Sequence, residues 1–355
     1  MRVVTVVGNR PQFIKAAAVS HRLREVADEV LVHTGQHYDE ELSAVFFGEL
    51  GIPRPEHQLE LGGGTNTAQT ARMLEALEAL LARERPDLVL VYGDTNSTLA
   101  GALAGAQGGF PVAHVEAGMR SFDRAMPEEL NRVLTDHAAA LLLCSSAAAA
   151  DNLRAERVVG RVEVVGDVMV DIALLLGPRA SAHTEVPAAH GVEPGRFLLV
   201  TAHRAGNVDD PVRLERLVAL LEALPDPAVL PLHPRTAARL EATGLRGRLD
   251  AAPGLRIAPP LGYLEFTALL HHARAVMTDS GGVQKEAYLA ATPCITLRST
   301  TEWTETVDAG WNVLVDLDVQ AALAALGRRP PDERPPLYGD GRAGERVVAA
   351  LRMGA

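Results

Sequence analysis

What most constrains this chain is a rhythm, run through twice, in which short unbroken apolar stretches end at polar turns and give way to helical spacing. Residues 3–7 form such a stretch, followed by a turn and a helix over about 12–26, then a strand over 30–34. Helical spacing over about 67–83 precedes a strand over 88–92, and after another helix come strands over 112–115 and 140–144. A strand with one wet face alternates apolar and polar residues. An unalternating one is covered on both faces, and between helices that means a parallel sheet. Residues 177–195, rich in Pro, Ala and His, break the pattern and read as a linker. The rhythm then restarts with strands over 197–201, 229–232, 275–278 and 294–297 and helices over about 211–224 and 263–272. The expected fold class is α/β, with two Rossmann-like doubly wound domains over 1–176 and 196–340 that face across a cleft. A length of 355 residues, long for a single core, agrees.

The charge of -11 and an aromatic content of 4% disfavour a nucleic-acid partner, which needs basic surface and stacking platforms. An anionic ligand would have to be held by local charge. No apolar stretch reaches membrane-span length, and the first one is too short for a signal peptide, so a cytoplasmic protein is expected. Cys144 and Cys294 lie in apolar, strand-like runs and are expected as buried thiols, neither disulfide-bonded nor metal-bound.

In doubly wound sheets ligands bind at the carboxyl ends of the strands, so polar residues just after strands are the candidates. Asn9-Arg10-Pro11-Gln12 follows the first strand, with Arg10 expected on a turn and Lys15 one turn into a helix, two cations able to meet a pyrophosphate. Asp94 follows the strand ending at Tyr92, and Glu116 the next. Glu128 and Glu129 stand behind Pro127, and His203 and His233 end strands of the second half. Each also has a structural reading. Asp94 is placed to cap a helix, Glu128 and Glu129 to complement a helix dipole, and His203 to be a satisfied loop residue. After the strand over 275–278, Ser280-Gly281-Gly282 begins a helix where bare backbone N–H groups can meet a diphosphate. Ser280 would cap that helix or contact phosphate, and Glu286, further along it, could reach a ribose hydroxyl.

Taken in order and spacing, GNRPQFIKAAAVS, GQHYD, YGDTNST, HVEAGMRSFDRAMPEELNR, TAHRAGN, LHPRT, DSGGVQKEA and TLRSTTEW resemble the non-hydrolysing UDP-N-acetylglucosamine 2-epimerases over residues 3–312. GDGRAGERVVAAL is similar to that family's C-terminal helix, which implies that residues 341–355 pack back on the first domain. The resemblance implies the GT-B architecture, a homodimer, and reversible inversion at sugar C2 by anti elimination of UDP to a 2-acetamidoglucal and re-addition to the other face. It implies Asp94, Glu116 and Glu128 as the acid/base set, with His203 and Arg10 stabilising the departing UDP. Lys15, Ser280, Gly281, Gly282, Gln284, Glu286 and Arg298 would hold the ligand, with Gln284 facing the cleft. Nothing is oxidised, so no nicotinamide is required. Arg, His and helix amides can supply the counter-charge, so no metal is expected.

Two stretches depart from the family pattern. Arg204-Ala205-Gly206-Asn207 replaces an Arg-Arg-Glu-Asn run, and Thr301-Glu302-Trp303-Thr304 lacks a common Arg-Pro pair. With Gln12-Phe13, the Glu302-Trp303 pair is more similar to the branch acting on UDP-2,3-diacetamido-glucuronate, where Arg298 or Arg120 would be aimed at the sugar C6 group. Gln36-His37-Tyr38-Asp39 and Gly62-Gly63-Gly64-Thr65 keep little of the activator-site pattern, so activation by a second UDP-GlcNAc is not expected. The alternatives are a hydrolysing epimerase, a GT-B glycosyltransferase, or a non-catalytic UDP-sugar sensor, the last disfavoured because binding alone does not require three carboxylates.

Overall fold

The computed structural model describes residues 1–36, 54–124 and 126–354, and the Arg10 side chain lies outside what is described. His37, Tyr38 and Asp39 also fall outside it. The chain divides into two compact units, Met1–Ile172 with Tyr338–Ala355, and Ala173–Leu337.

In the first unit the described strands form one parallel sheet in the order β3-β2-β1-β4-β5-β6-β7. They are β1 (Arg2–Val7), β2 (Asp28–His33), β3 (His57–Gln58), β4 (Leu88–Tyr92), β5 (Val112–Ala117), β6 (Leu141–Cys144) and β7 (Arg161–Val164). Val4, Val6, Val89, Val91 and Leu142 are fully buried, as unalternating strands covered on both faces must be. The helix Asn66–Glu84 shows how one covering layer is specified. Thr65 caps it by accepting from Ala68 N–H, and Met73, Leu77, Leu80 and Leu81 make one buried stripe at helical spacing. The helix Ala343–Arg352 belongs to this unit as well. The Asp171 carboxylate caps it by accepting from the Ala343 and Gly344 amides at 3.0 and 2.7 Å, and Gly344 lies so close to the Ala18 carbonyl that a side chain would not fit.

The second unit repeats the plan in the order β10-β9-β8-β11-β12-β13, all parallel. These strands are β8 (Leu198–Thr201), β9 (Ala228–Pro231), β10 (Leu255–Ala258), β11 (Ala275–Thr278), β12 (Cys294–Thr296) and β13 (Asn312–Leu314). In each sheet the strand order reverses at one place, beside β1 and β4 in the first and beside β8 and β11 in the second. Loops leaving those pairs diverge and open a crevice at the carboxyl end.

Two local expectations are corrected. The proposed linker is largely helical: Val168–Ala182 runs through Gly177 and Pro178, and Glu185–Ala189 follows. Burial of Ile172, Leu176 and Ala180, four residues apart on one face, overrides the local breakers, and the division between units falls inside that helix. Four strands unmarked by the apolar rhythm are present, β3, β7, β10 and β13. Among the described residues no helix is long and apolar enough to cross a membrane.

Candidate active site

In the first unit the helix Arg10–Leu23 starts immediately after β1, with Asn9 as its N-cap, so Arg10 is the first helical residue and not a turn residue. Gln12 is almost wholly buried, and its amide closes the switch point. It accepts from Gly8 N–H at 2.7 Å and donates to the Tyr92 carbonyl at 2.7 Å and Thr98 Oγ1 at 2.8 Å. Phe13 is buried edge-on to His33. The Gln12-Phe13 pair is therefore core, and its side chains do not meet a sugar.

Lys15 makes an ion pair with Glu116, whose side chain is 8% exposed. Burial pulls the ammonium down, but Glu116, Asp94 and Asp167 outweigh it and hold Lys15 above its ordinary value. Gly93 makes room for this pair: a Cβ there would stand 3.2 Å from Lys15 Nζ and 3.4 Å from Glu116 Oε2. Glu116 lies inside β5 and not beyond it, at a register shift against β6, with φ of 74°. A bulge re-aims a side chain out of the strand's alternation, and the left-handed backbone costs a non-glycine residue roughly 1–2 kcal/mol. Such strain persists where the surroundings over-determine it, a common property of reacting groups.

Asp94 is released from capping, because Thr95 caps the next helix in a reciprocal box with Thr98. One of its oxygens, Oδ2, accepts from Arg132 Nε and Nη2 at 3.0 and 2.6 Å, and Asn131 donates to its carbonyl at 3.0 Å. Arg132 was visible in the Pro-Glu-Glu-Leu-Asn-Arg run without any sign of its partner, since Asp94 is 38 residues away. Glu128 and Glu129 separate clearly. Glu129 is buried and accepts from Ser121 N and Oγ, Phe122 N and Arg132 Nη1 at 2.9 to 3.0 Å. Burial pushes its carboxyl up, but these donors prevail and hold it below the usual range. Glu128, on the first turn behind Pro127, is exposed. Arg120 is held by Asp136 and Glu156 with its side chain 1% exposed, so it is not available to a sugar C6 group.

In the second unit the fully buried Asp279 organises the turn after β8. It accepts from His203 N–H at 3.0 Å, Arg204 N–H at 3.0 Å and Asn207 Nδ2 at 3.1 Å. The His203 ring stacks on His233 at 5.1 Å. Burial lowers the His203 pKa, Arg204 and Arg235 add to that, and Asp279 only partly opposes them. At neutral pH His203 therefore offers a neutral imidazole, a hydrogen-bonding group and not a fixed positive charge.

The helix Gly281–Leu289 begins at Ser280, whose side chain makes no cap hydrogen bond; its amide donates to Thr278 Oγ1 at 3.0 Å. The two glycines differ. A Cβ on Gly281 would lie 2.2 Å from Glu302 Oε1, whereas one on Gly282 would meet only Ser280 Oγ at 3.9 Å. Gly281 thus accommodates a resident carboxylate, and Gly282 leaves the helix N-terminus open to an incoming anion. Glu302 is paired with Arg298 at 2.9 Å and Arg204 at 3.3 Å. Burial raises its pKa, but Arg298 and Arg204 bring it below the usual range. Gln284 turns inward with 1% exposure, accepting from Thr301 Oγ1 at 2.6 Å and Asn312 Nδ2 at 3.1 Å. It braces the Thr301 loop and does not line a surface. Glu286 is half-buried on the same helix. Trp303 covers the buried Lys285, whose Nζ stands 4.7 Å from the ring centre.

Cys144 and Cys294 are free and buried, with their thiols pushed up to about 12 by burial and therefore inert. Among the described residues no cluster of His, Cys, Asp or Glu is placed to hold a metal ion.

A family model described as UDP-N-acetylglucosamine 2-epimerase matches residues 21–352. The chain belongs to the UDP-N-acetylglucosamine 2-epimerase family. It is 46% identical to the UDP-2,3-diacetamido-2,3-dideoxy-D-glucuronate 2-epimerase of Pseudomonas aeruginosa over 99% of each chain. The solved structure of the Methanocaldococcus jannaschii UDP-GlcNAc 2-epimerase in complex with UDP-GlcNAc and UDP is 40% identical, with a TM-score of 0.91 covering 100% of each chain. The Neisseria meningitidis UDP-GlcNAc 2-epimerase bound to UDP-GlcNAc is 27% identical, with a TM-score of 0.87 over 100% of each. This membership makes the chain an enzyme of an α/β fold with two doubly wound units, as the apolar rhythm requires.

Proposed function

We propose that this epimerase interconverts UDP-GlcNAc and UDP-ManNAc. The observation that carries the reading is the gathering of Lys15, Asp94 and Glu116 at the carboxyl end of one sheet, with Glu116 on a strained bulge. In the forward step a carboxylate takes the C2 proton, the C1–O bond breaks, a C1–C2 double bond forms, and UDP leaves with the electron pair. Re-addition of UDP and protonation from the opposite face reverse this on the other diastereomer. Each face needs its own acid/base group, which the set Asp94, Glu116 and Glu128 supplies. Charge growing on the departing diphosphate is met by the open helix N-terminus at Ser280-Gly282, the His203 imidazole and Arg10, with Glu286 assigned to the ribose. Lys15 stays charged beside Glu116 and supplies fixed positive potential. The sequence of steps moves a proton and a C–O bond without net oxidation, so it needs no redox cofactor.

The decisive experiment is a proton-NMR time course of UDP-GlcNAc with the enzyme in deuterated water. Deuterium at C2 and an equilibrium mixture of two UDP-sugars are expected. Free sugar with UDP would mean hydrolysis, and an unchanged spectrum would mean a sensor. A second reading, UDP-2,3-diacetamido-glucuronate as the preferred sugar, is favoured by the 46% identity to the Pseudomonas enzyme of that name. The ratio of kcat/KM for the two sugars decides between them.

A homodimer in the cytoplasm is the assembly we assign. Exposed Phe122, Leu130 and Leu134, the last two a turn apart on the helix Pro127–Ala138, give the first unit an apolar face that a second copy would cover. Sedimentation equilibrium tests the dimer.

A further inference from the structure

A buried charged cluster lies behind the two strand ends that carry Asp94 and Glu116. His114, on β5, and Asp136, on the helix Pro127–Ala138, are both 0% exposed. Both ring nitrogens of His114 are engaged. Nδ1 pairs with Asp136 Oδ1 at 2.7 Å, and Nε2 stands 2.7 Å from the Gly93 carbonyl, which can only accept, so Nε2 donates to it. Burial raises the Asp136 carboxyl, but His114 and Arg120 outweigh it and keep the group ionised. Its other oxygen accepts from the Gly118 amide at 3.1 Å and from Arg120 Nη1 at 2.8 Å, and Arg120 is fixed in turn by Glu156 at 2.7 Å.

The cluster therefore grips both loops of the reacting groups. Gly93, the residue before Asp94, is held by His114, and Gly118, two residues after Glu116, is held by Asp136. Gly93, Glu116 and Gly118 all have positive φ, at 65°, 74° and 79°. The two glycines take that conformation freely, whereas Glu116 is strained in it, and fixed buried donors and acceptors on either side hold such strain in place. Buried ionic groups add little net stability compared with apolar packing, so a cluster of this kind at this place is best accounted for by the geometry it imposes.

We propose that His114 is a positioning residue for C2 proton transfer. Through the hydrogen bond to the Gly93 carbonyl it sets the turn that aims Asp94 and seats Gly93 against Lys15 and Glu116. The inference rests on the epimerase reading and adds to it a residue that acts without touching the sugar.

Two near-isosteric variants separate the arms of the ring. His114→Asn keeps a donor at the Nδ1 position, toward Asp136, and drops Gly93. His114→Gln keeps one at the Nε2 position, toward Gly93, and drops Asp136. His114→Asn should lower kcat for C2 deuterium exchange about 50-fold while KM and the calorimetric Kd for UDP stay within about threefold, the signature of an interaction made for the transition state. His114→Gln should recover at least about tenfold of that kcat, although its Tm falls as far as that of the Asn variant. Equal losses of kcat in the two variants, or a loss that tracks Tm, would overturn the proposal. Should neither variant fold, neutron diffraction from wild-type crystals reads the ring directly, and a His114 ring without a proton on Nε2 overturns it equally. Failure of the wild type to exchange C2 deuterium would instead remove the epimerase reading, a result separate from any difference between the variants.

Discussion

Lys15, in the helix after β1, and Glu116, at the bulge in β5, form an ion pair between residues 101 apart in sequence. Their side chains are only 15% and 8% exposed, so neither charge is solvated well without the other. Lys15→Met should remove a charged partner from the buried Glu116 carboxylate, at a cost of about 3 kcal/mol. The double variant Lys15→Met/Glu116→Gln should be more stable than Lys15→Met alone. Denaturant titration of the two singles and the double measures this coupling, and strict additivity would show that the pair is not a unit.

Asp94→Asn, Glu116→Gln and Glu128→Gln should each lower turnover by at least about two orders of magnitude, the usual scale for acid/base groups, with much smaller changes in UDP affinity. Glu129→Gln should behave differently. Its carboxylate organises Ser121, Phe122 and Arg132, so its replacement should lower Tm along with activity. Steady-state kinetics beside thermal denaturation distinguishes the two patterns. A Glu128 variant with near wild-type turnover would remove that residue from the acid/base set.

The two glycines of the phosphate seat should fail in different ways. Gly282→Val adds a branched side chain to open space at the helix start, so the variant should fold normally and not bind UDP. Gly281→Ala drives a methyl group into the Glu302 carboxylate and should disturb its pairing with Arg298 and Arg204. Calorimetry with UDP and circular dichroism on each variant decide this. Wild-type UDP affinity in Gly282→Val would place the diphosphate elsewhere.

Stability should fall as the solution is acidified below neutrality. Burial, opposed in part by a hydrogen bond with the Gly8 backbone, lowers His33 to about 4, while an unfolded His titrates near 6.5. The unfolded chain therefore binds a proton that the folded chain refuses. The His33 contribution is whole above the unfolded value and is lost as pH falls toward the folded one, by about 2 kcal/mol between ~pH 8 and ~pH 5. His203, also lowered, acts in the same direction. Unfolding free energies measured across that range should slope less in His33→Gln, and an unchanged slope would mean that His33 is not a source of it.

The sequence by itself determined the central strands and the helices that cover them, because an apolar run or a 3.6-residue stripe is a local property of the chain. The strands over 88–92 and 275–278 and the helix over 263–272 are where the pattern puts them. The four unmarked strands, β3, β7, β10 and β13, are the outermost strands of the two sheets. A sheet edge is only partly covered, so Arg161–Val164 carries no continuous apolar run and its signal is lost among turns. Strand ends were equally legible as the places where Asp94, His203 and the Ser280-Gly282 turn would lie, whereas Glu116, expected just past its strand, lies inside β5.

Only the tertiary structure decided which of those residues act on one another. Gln12 stood in the sequence only as part of a motif after the first strand, and the fold joined it to the Tyr92 carbonyl 80 positions away. The same folding paired Asp94 with Arg132, turned Gln284 inward and put the Glu302 carboxylate against Gly281. In a parallel sheet each neighbouring strand returns only after a crossover helix, so the side chains that share a strand end come from distant segments, and no local pattern records the match. The bulge that turns Glu116 toward Lys15 is of the same kind, fixed by the register of β5 against β6 and by Asp136 behind it.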